Sequence, residues 1–273
     1  MKVLVTGSAG KIGTVVEDDL RLQGYEVVSF DLAHGQDILN LAQVEEATDG
    51  CDSVVHLAAH LGDEADNTEV INVNVAGMWN VLQAAARHSV KRVVFASSVE
   101  VLGVFRGERA PDYLPLDDES PCYPASAYAM SKRLGEEMCC AWTRTTGISS
   151  LCLRLPGVFA KEDYEYIIRS RNETLEFEWS PFWQYGAFLD VRDAASAIQN
   201  GLTCSFSGHE NLLLCAEDIS SASLSSIELV EKLLSNVEWR GGSEYEARPF
   251  KSLVDCRRAH RILGWHPQHR WRE

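Results

Sequence analysis

Residues 5–20 read VTGSAGKIGTVVEDDL and decide the fold, because three glycines separate an apolar run from an amphipathic segment. The glycines follow the pattern G-x-x-G-x-x-G. In a strand–loop–helix unit, the first glycine permits a tight turn, the second lets the backbone approach a pyrophosphate, and the third allows close packing of helix on strand. The helix N-terminus then favours phosphate binding. A plain strand-to-helix turn is the alternative. The residues predicted to hold the phosphates of a dinucleotide are Gly7, Gly10, Lys11, Ile12 and Gly13.

The acidic residue that ends the next apolar segment supports the same site. The segment YEVVSFD ends in Asp31, roughly 20 residues beyond the last glycine, where a carboxylate can hydrogen-bond to both ribose hydroxyls of NAD. A carboxylate there would repel the 2′-phosphate of NADP, and no arginine follows directly. We therefore predict NAD rather than NADP as the cofactor, with a loop carboxylate that binds no ligand as the alternative.

Short apolar segments alternate with helical patterns through the first part of the chain. This alternation predicts an α/β fold with a Rossmann-like, doubly wound parallel sheet that helices cover on both faces. After Gly157 the sequence becomes irregular, charged and aromatic, which predicts a small C-terminal substrate-binding cap. We assign residues 1–157 to an NAD-binding domain and residues 158–273 to the cap, and we expect residues 187–202 to pack back on the sheet.

The composition excludes several classes of function. The chain has 273 residues and a formal net charge of -15, which argues against binding to nucleic acid or to anionic membranes. No apolar run reaches the roughly 18 residues of a membrane span, and no signal-peptide pattern is found at Met1, so we predict a cytoplasmic protein. The acidic excess is typical either of an ordinary acidic enzyme or of a high-salt proteome.

The eight cysteines form no C-x-x-C pair, and none lies at zinc-finger spacing from a histidine. Several lie in apolar stretches such as MCCAW and LCLRL. This pattern predicts buried, reduced thiols, with disulfides or metal ligands as the alternative, and we predict no metal site.

A tyrosine and a lysine in the segment YAMSK are candidates for proton transfer. Tyr128 and Lys132 are four residues apart and therefore share one face of a predicted helix. A nearby ammonium lowers the pKa of a phenol from about 10, so Tyr128 can take a proton from a hydroxyl while hydride leaves its carbon. Lys132 can also hold the ribose next to the nicotinamide. A surface Tyr–Lys pair is the alternative.

A hydroxyl at the end of the strand RVVFASS is the third candidate. Ser97 and Ser98 both end this strand, at the sheet edge to which parallel strands deliver ligand-binding groups. The strand alone does not decide between these two serines.

Together these motifs resemble the extended short-chain dehydrogenase/reductase family, which contains NAD-dependent epimerases, dehydratases and dehydrogenases. The resemblance also rests on HLAAH from His56, NVAG from Asn74, ASSVEVLG from Ala96 and LRLPG from Leu153. It implies Ser98, Tyr128 and Lys132 as the catalytic set, with Ser97 structural. It further implies cofactor contacts at the adenine, behind the pyrophosphate, in the helix that shapes the site and beside the nicotinamide. These are Asp37, Ile38, Leu57, Ala58, Ala59, Asn74 and Pro156.

The chain also departs from parts of this family. Its sugar-nucleotide dehydratases carry adjacent Asp and Glu after the active hydroxyl, where this chain has Val99 and Glu100, so dehydration is not expected. The cap is short for a nucleotide-sugar. A fainter resemblance to the uronate and aldose dehydrogenases implies oxidation of a free sugar at C1. An arginine can clamp a carboxylate and a tryptophan can stack on a sugar, with a solvated loop as the alternative. The substrate candidates are Glu100, Arg169, Arg171 and Trp183.

We therefore predict an NAD-dependent oxidoreductase that acts on an aldose, uronate or polyol. An NAD-retaining epimerase of sugars or nucleotide-sugars is the first alternative, and a non-catalytic dinucleotide sensor is the second. The predicted helices 67–88 and 124–147 carry more large apolar residues than one face needs, and such helices pair in many family members. A homodimer that binds a small sugar-like molecule is the expected assembly.

Overall fold

The computed structural model describes residues 1–62, 67–173, 177–180 and 183–272. Its strands are numbered in chain order. They are β1 (Lys2–Thr6), β2 (Glu26–Phe30), β3 (Ser53–His56), β4 (Arg92–Ser98), β5 (Tyr113–Leu114), β6 (Ser149–Leu155), β7 (Gly157–Phe159), β8 (Phe188–Asp190), β9 (His209–Leu213) and β10 (Glu238–Trp239).

The α-helices are numbered in the same way, and a π-helical turn, Asn72–Ala76, lies between the third and the fourth. The helices are α1 (Lys11–Leu22), α2 (Leu41–Thr48), α3 (Asn67–Ile71), α4 (Gly77–Arg87), α5 (Ala127–Thr146), α6 (Lys161–Glu173), α7 (Val191–Thr203), α8 (Ser226–Leu233), α9 (Glu244–Ala247) and α10 (Arg257–Leu263). The predicted helix 67–88 is therefore α3, the π-turn and α4 in succession.

Six strands form one parallel sheet in the order β2-β1-β3-β4-β6-β9. The chain goes from β1 outward to β2 at one edge and then crosses back to β3 on the other side of β1. The direction of winding reverses between β1 and β3, and ligands of such sheets bind outside the carboxyl ends of the strands at this point. The predicted α/β class and doubly wound parallel sheet are confirmed.

Helices bury both faces of the sheet, which explains why its strands are apolar on both sides. On one face, α1 and α7 contribute Val16 and Ile198 to a core that also contains β1 and β6 residues. On the other face, Val44, Leu82 and Trp142 from α2, α4 and α5 form a second core. The side chains of the four inner strands β1, β3, β4 and β6 are therefore almost all buried, whereas those of the edge strands β2 and β9 are largely half-buried or exposed. The carboxyl ends of the inner strands are the part left to bind ligands.

The C-terminal part of the chain contributes both to the sheet and to a separate core. Within residues 158–273, α7 packs on the sheet and β9 pairs with β6 as an edge strand. Short pairs β7–β8 and β5–β10 lie beyond the sheet. A third core joins residues after β4 to α8 and to Tyr245 in α9. The division at residue 157 thus remains an interpretation of the sequence, because the segment assigned to the cap also supplies β9.

Trp79, Met130 and Leu134 are exposed on α4 and α5. The homodimer remains a prediction, which light scattering at micromolar concentration would check. No helix in the described ranges is long and apolar enough to cross a membrane.

Candidate active site

The glycine loop connects β1 to α1, and Gly10 immediately precedes the helix. Gly7 has φ +73°, in the left-handed region, and a Cβ there would lie 2.6 Å from the backbone nitrogen of Ala58. A Cβ on Gly13 would lie 2.2 Å from the carbonyl oxygen of Gly7. Both positions therefore exclude side chains, while Gly10 presents bare backbone to a cavity. This cradle at a helix N-terminus fits the phosphates of NAD.

One cavity of about 390 Å³ extends from the glycine loop to the ends of β4 and β6. It therefore joins the predicted phosphate site to the predicted catalytic set. The predicted residues that line it are Gly7, Gly10, Lys11, Ile12, Gly13, Leu57, Ala59, Ser98, Glu100, Tyr128, Lys132, Pro156 and Trp183. Arg106, which was not predicted, also lines it.

Several predicted cofactor residues lie beside this cavity rather than on its wall. The Asp31 carboxylate accepts hydrogen bonds from the backbone N–H groups of Ala9 at 3.0 Å and Ala33 at 2.8 Å, so it borders the glycine loop. Asp37 is exposed, whereas Ile38 is buried in a core of the sheet. Asp31, Asp37 and Ile38 therefore remain predicted cofactor residues, and the structure places them outside the cavity wall.

The segment after β3 packs against the glycine loop, and its Ala58 backbone leaves no room for a side chain at Gly7. Asn74 holds the same segment in place. Its Oδ1 accepts from the His60 N–H at 2.7 Å, and its Nδ2 donates to the His60 carbonyl at 3.0 Å and to the Ser131 hydroxyl at 2.9 Å. Asn74 therefore ties the π-turn to the end of β3 and to α5, which makes it a positioning residue for the site.

Ser98 and Tyr128 reach the cavity from adjacent elements. Ser98 ends β4, and its Oγ accepts from the Glu100 N–H at 3.2 Å. Tyr128 lies in the first turn of α5, which Ser126 caps by accepting from the Ala129 N–H at 3.0 Å. Local capping thus fixes the start of both segments and holds the hydroxyl and the phenol at one end of the cavity.

Lys132 lies one turn beyond Tyr128 and is buried. Its Nζ donates to the Ala96 carbonyl at 2.7 Å and lies 5.5 Å from the centre of the Tyr128 ring. Ser97, in contrast, donates to the buried Glu136 carboxylate at 2.7 Å. Ser97 also lines the cavity, but its hydroxyl is already bonded to Glu136, which supports Ser98 as the serine available to a substrate.

The pKa of Tyr128 is raised, opposite to the direction that the Tyr–Lys spacing predicts. Burial is the main cause, and the negative charge of Glu100 adds to it, while hydrogen bonding with Ser98 lowers the pKa. Burial also lowers the pKa of Lys132 to about 8. The Lys132 ammonium donates to the Ala96 carbonyl, and burial of the phenol remains the dominant influence on its pKa. The expected activation of Tyr128 by Lys132 alone is therefore corrected.

Glu100 and Arg106 form an ion pair in the cavity. The buried Glu100 Oε1 accepts from Arg106 Nε at 2.8 Å and from Nη2 at 2.6 Å. Burial raises the pKa of Glu100, and the Arg106 charge opposes this shift. The Arg106 guanidinium lies 5.5 Å from the Trp183 ring, and Trp183 covers Gly157, where a Cβ would lie 2.1 Å from the indole nitrogen.

The structure brings neither Arg169 nor Arg171 to this cavity, which corrects their assignment to substrate. Arg169 is exposed on α6, and its guanidinium lies 5.8 Å from the Tyr166 ring on the same helix. Arg171 is buried with its guanidinium 5.0 Å from the Trp271 ring. Helix α6 therefore directs Arg169 toward solvent and Arg171 toward the C-terminal segment. No spacing or motif in the sequence indicates Arg106, because an irregular loop rather than a helix or strand brings it to the site.

The glycine loop is also tied to the C-terminal part of the chain. Lys11 Nζ lies 2.7 Å from Asp163 Oδ2 at the start of α6. Within the described ranges, no group of three His, Cys, Asp or Glu side chains is placed to hold a metal ion. The polar side chains of the cavity wall, among described residues, include Lys11, Ser98, Tyr128, Lys132 and the Glu100–Arg106 ion pair.

A glycine cradle and a hydroxyl–phenol–ammonium set thus lie in one cavity, which is the arrangement that the sequence predicts for an NAD-dependent oxidoreductase. The chain belongs to the NAD dependent epimerase/dehydratase family, whose model matches residues 3–202. The predicted family resemblance and NAD as the cofactor are thereby confirmed. Relatives in this family are NAD-dependent dehydrogenases, epimerases and dehydratases.

Two curated relatives are sugar dehydrogenases. The chain is 29% identical over 170 residues to a uronate dehydrogenase of Pseudomonas syringae pv. tomato, an alignment covering 58% of this chain and 60% of the relative. It is 32% identical over 181 residues to an L-arabinose 1-dehydrogenase (NAD(P)(+)) of Haloferax volcanii, covering 59% of this chain and 69% of the relative. The chain thus spans about three fifths of the length of the uronate dehydrogenase that it matches.

Solved structures with the same fold include two kinds of enzyme. A short-chain dehydrogenase/reductase superfamily protein from Agrobacterium tumefaciens with bound NAD has a TM-score of 0.74 at 24% identity, covering 99% of this chain and 94% of that one. The UDP-glucose 4-epimerase of Thermotoga maritima with UDP-glucose has a TM-score of 0.73 at 20% identity, with the same two coverages. These likenesses establish the fold.

Proposed function

We propose that this protein is an NAD-dependent dehydrogenase that oxidises a hydroxyl-bearing carbon of a free sugar. The observation that carries the proposal is the single cavity in which the glycine loop, Ser98, Tyr128 and Lys132 meet. A carbinol placed at the end of β4 lies within reach of both a hydroxyl donor and a phenol. Its oxygen can be held while its carbon faces the cofactor end of the cavity.

Each residue then has a separate role. Ser98 hydrogen-bonds to the reacting oxygen, Tyr128 takes the proton of that hydroxyl, and Lys132 holds the ribose next to the nicotinamide. When bound, oxidised NAD supplies the hydride acceptor. Because the pKa of Tyr128 is raised in the free protein, the phenol keeps its proton near neutral pH. A positive charge beside it lowers this pKa, so we expect deprotonation to follow cofactor loading.

A free sugar fits the site better than a nucleotide-sugar. A diphosphate needs cations, and among the described residues of the cavity wall the arginine is Arg106, which Glu100 already neutralises. Lys11 is paired with Asp163. The two curated sugar dehydrogenases support the same reading.

The test is to incubate the purified protein with excess NAD and a panel of free aldoses and uronates, and to follow NADH absorbance. Continuous NADH production supports the proposal. An NAD-retaining epimerase, favoured by the likeness to UDP-glucose 4-epimerase, would instead interconvert two sugar epimers without accumulating NADH. NAD binding with no turnover of any sugar would indicate a dinucleotide sensor and would overturn the proposal.

A further inference from the structure

The charged side chains on the cavity wall, among described residues, are Lys11, Glu100, Arg106 and Lys132. Each cation already has a partner. Lys11 is paired with Asp163 at the glycine loop, and Lys132 donates to a backbone carbonyl of β4. Arg106 is paired with Glu100. The half of the cavity next to Trp183 therefore has one positive and one negative side chain, which cancel.

The segments outside the described ranges contain acidic residues but no basic ones. They read DEAD at 63–66, TLE at 174–176, PF at 181–182 and E at 273, without Lys, Arg or His. Whatever their placement, they add no positive charge near the substrate. A negatively charged substrate group in the half of the cavity next to Trp183 would thus depend on Arg106 for its counter-ion.

The negative charge of Glu100 opposes the binding of a substrate carboxylate to Arg106. It is only 5% exposed, and its charge is close enough to Tyr128 to raise the pKa of the phenol. Arg106 Nε and Nη2 both donate to the same oxygen, Glu100 Oε1. A substrate carboxylate on Arg106 would place a second negative charge beside a buried one, where the surrounding protein strengthens repulsion. A sugar hydroxyl, in contrast, can donate to Glu100 and accept from Arg106.

We propose that the Glu100–Arg106 pair selects neutral aldoses and rejects uronates. The inference rests on the proposed sugar dehydrogenase activity and names the substrate class of the same site. Specificity of this kind arises from a repulsive element as well as from attractive contacts, and here Glu100 supplies the repulsion. The pair is a specificity determinant, whereas Ser98, Tyr128 and Lys132 perform the reaction.

The first test uses matched sugars that differ only at C6, D-galactose with D-galacturonate and D-glucose with D-glucuronate. We expect kcat/KM for the neutral member of the active pair to exceed that of the uronate by about tenfold or more. NADH production with a preference for the uronate would overturn this inference and leave the proposed function intact. No NADH with any sugar would overturn both.

The second test removes the charge of Glu100. Glu100→Gln keeps the shape of the side chain, and we expect the uronate-to-neutral ratio of kcat/KM to rise about tenfold. Glu100→Asp keeps the charge and should keep the preference for neutral sugars. Asp112→Asn is the matched control, because Asp112 pairs with Arg109 at 2.7 Å on the same loop but does not line the cavity. Its ratio should match that of the unaltered protein.

Binding provides a readout that does not require turnover. Calorimetric titration of the Tyr128→Phe protein, loaded with NAD, should give tighter binding of the neutral sugar than of its uronate. Adding Glu100→Gln to this protein should reduce the difference in affinity between the neutral sugar and its uronate. Unchanged discrimination after Glu100→Gln, in both binding and turnover, would show that the pair does not select the substrate.

Discussion

The half of the cavity at the glycine loop is shaped by main chain, whereas the half at Trp183 is shaped by side chains from distant parts of the sequence. In the first half, Gly7 and Gly13 leave no room for a Cβ against neighbouring backbone. In the second half, Glu100, Arg106 and Trp183 converge from the segment after β4 and from a segment some 80 residues later. A backbone cradle recognises what all NAD-dependent relatives share, while the side chains recognise what distinguishes substrates.

The largest expected effect is on turnover, and it follows from changing Tyr128, which lies where the two halves of the cavity meet. Tyr128→Phe removes the proton acceptor but keeps the ring, so turnover should fall by about 10²- to 10⁴-fold. NAD affinity should stay nearly constant, because the phenol acts on the substrate. Steady-state kinetics and calorimetric NAD titration measure the two quantities. If Tyr128→Phe retains most of the activity, the phenol is not the acid–base group and the catalytic assignment is wrong.

A methyl group in the backbone cradle should damage the other half of the site. A Cβ on Gly13 would lie 2.2 Å from the Gly7 carbonyl oxygen, so Gly13→Ala must displace the loop or the helix. We expect NAD affinity to fall about 100-fold, which corresponds to about 2.7 kcal/mol.

Gly201→Ala is the matched control for this variant. Gly201 lies in α7, and a Cβ there would make ordinary contacts of 3.5 Å with Val94 in β4 and 3.6 Å with Leu151 in β6. Alanine also favours a helix over glycine by up to about 1 kcal/mol. Its NAD affinity should be unchanged and its stability equal or higher. Tight NAD binding by Gly13→Ala would show that the cradle does not depend on close packing.

The sequence was most informative where spacing along the chain fixes geometry. The glycine loop, the Tyr128–Lys132 pair and the two candidate serines at the end of β4 all follow from local periodicity and strand ends. The choice of Ser98 over Ser97 came from the family resemblance. The Arg106 contact depends instead on a loop path that positions its guanidinium between Glu100 and Trp183. Arg169, on α6, was predicted at the site because the sequence does not reveal which face of that helix meets the cavity.

The spacing of Tyr128 and Lys132 along the chain also could not predict the direction in which the pKa of Tyr128 shifts. Four residues along a helix predict that a lysine lies near a tyrosine, but not that both are desolvated or that Glu100 adjoins the phenol. Burial and charges from other segments therefore outweigh the single pairwise contact that the sequence displays.

A buried histidine beneath the glycine-loop half of the cavity predicts that the stability of the fold depends on pH. His56 ends β3, is fully buried, and its Nδ1 lies 2.7 Å from the Thr6 hydroxyl at the end of β1. Burial lowers the pKa of His56 from 6.5 to about 3. The unfolded chain therefore binds more protons between these values. The stabilisation is present above pH 6.5 and is lost as the pH falls toward 3, by about 2 kcal/mol between pH 7 and pH 5.

Urea unfolding at the two pH values measures this dependence. His56→Asn, which does not titrate in this range, should lose less of the free energy of unfolding between pH 7 and pH 5. His34→Asn alters an exposed histidine and should leave the pH dependence unchanged. Equal pH dependence in the His56 variant and the unaltered protein would contradict the assignment to His56.

The smallest expected effect concerns Asp31, the side chain that we predict to select NAD over NADP. The Asp31 carboxylate borders the glycine loop through Ala9 and retains acceptor capacity for ribose hydroxyls, while its charge opposes a 2′-phosphate. NAD should therefore bind about tenfold more tightly than NADP, a difference of about 1.4 kcal/mol. Asp31→Asn keeps an oxygen acceptor and removes the charge, so the preference for NAD should shrink mainly through tighter NADP binding.

Asp18→Asn is the matched control. Asp18 is exposed on α1, so this variant removes the same charge without touching the loop and should preserve the preference for NAD. If both variants discriminate like the unaltered protein in calorimetric titrations, Asp31 does not choose the cofactor, and specificity in this half would reside in the backbone alone.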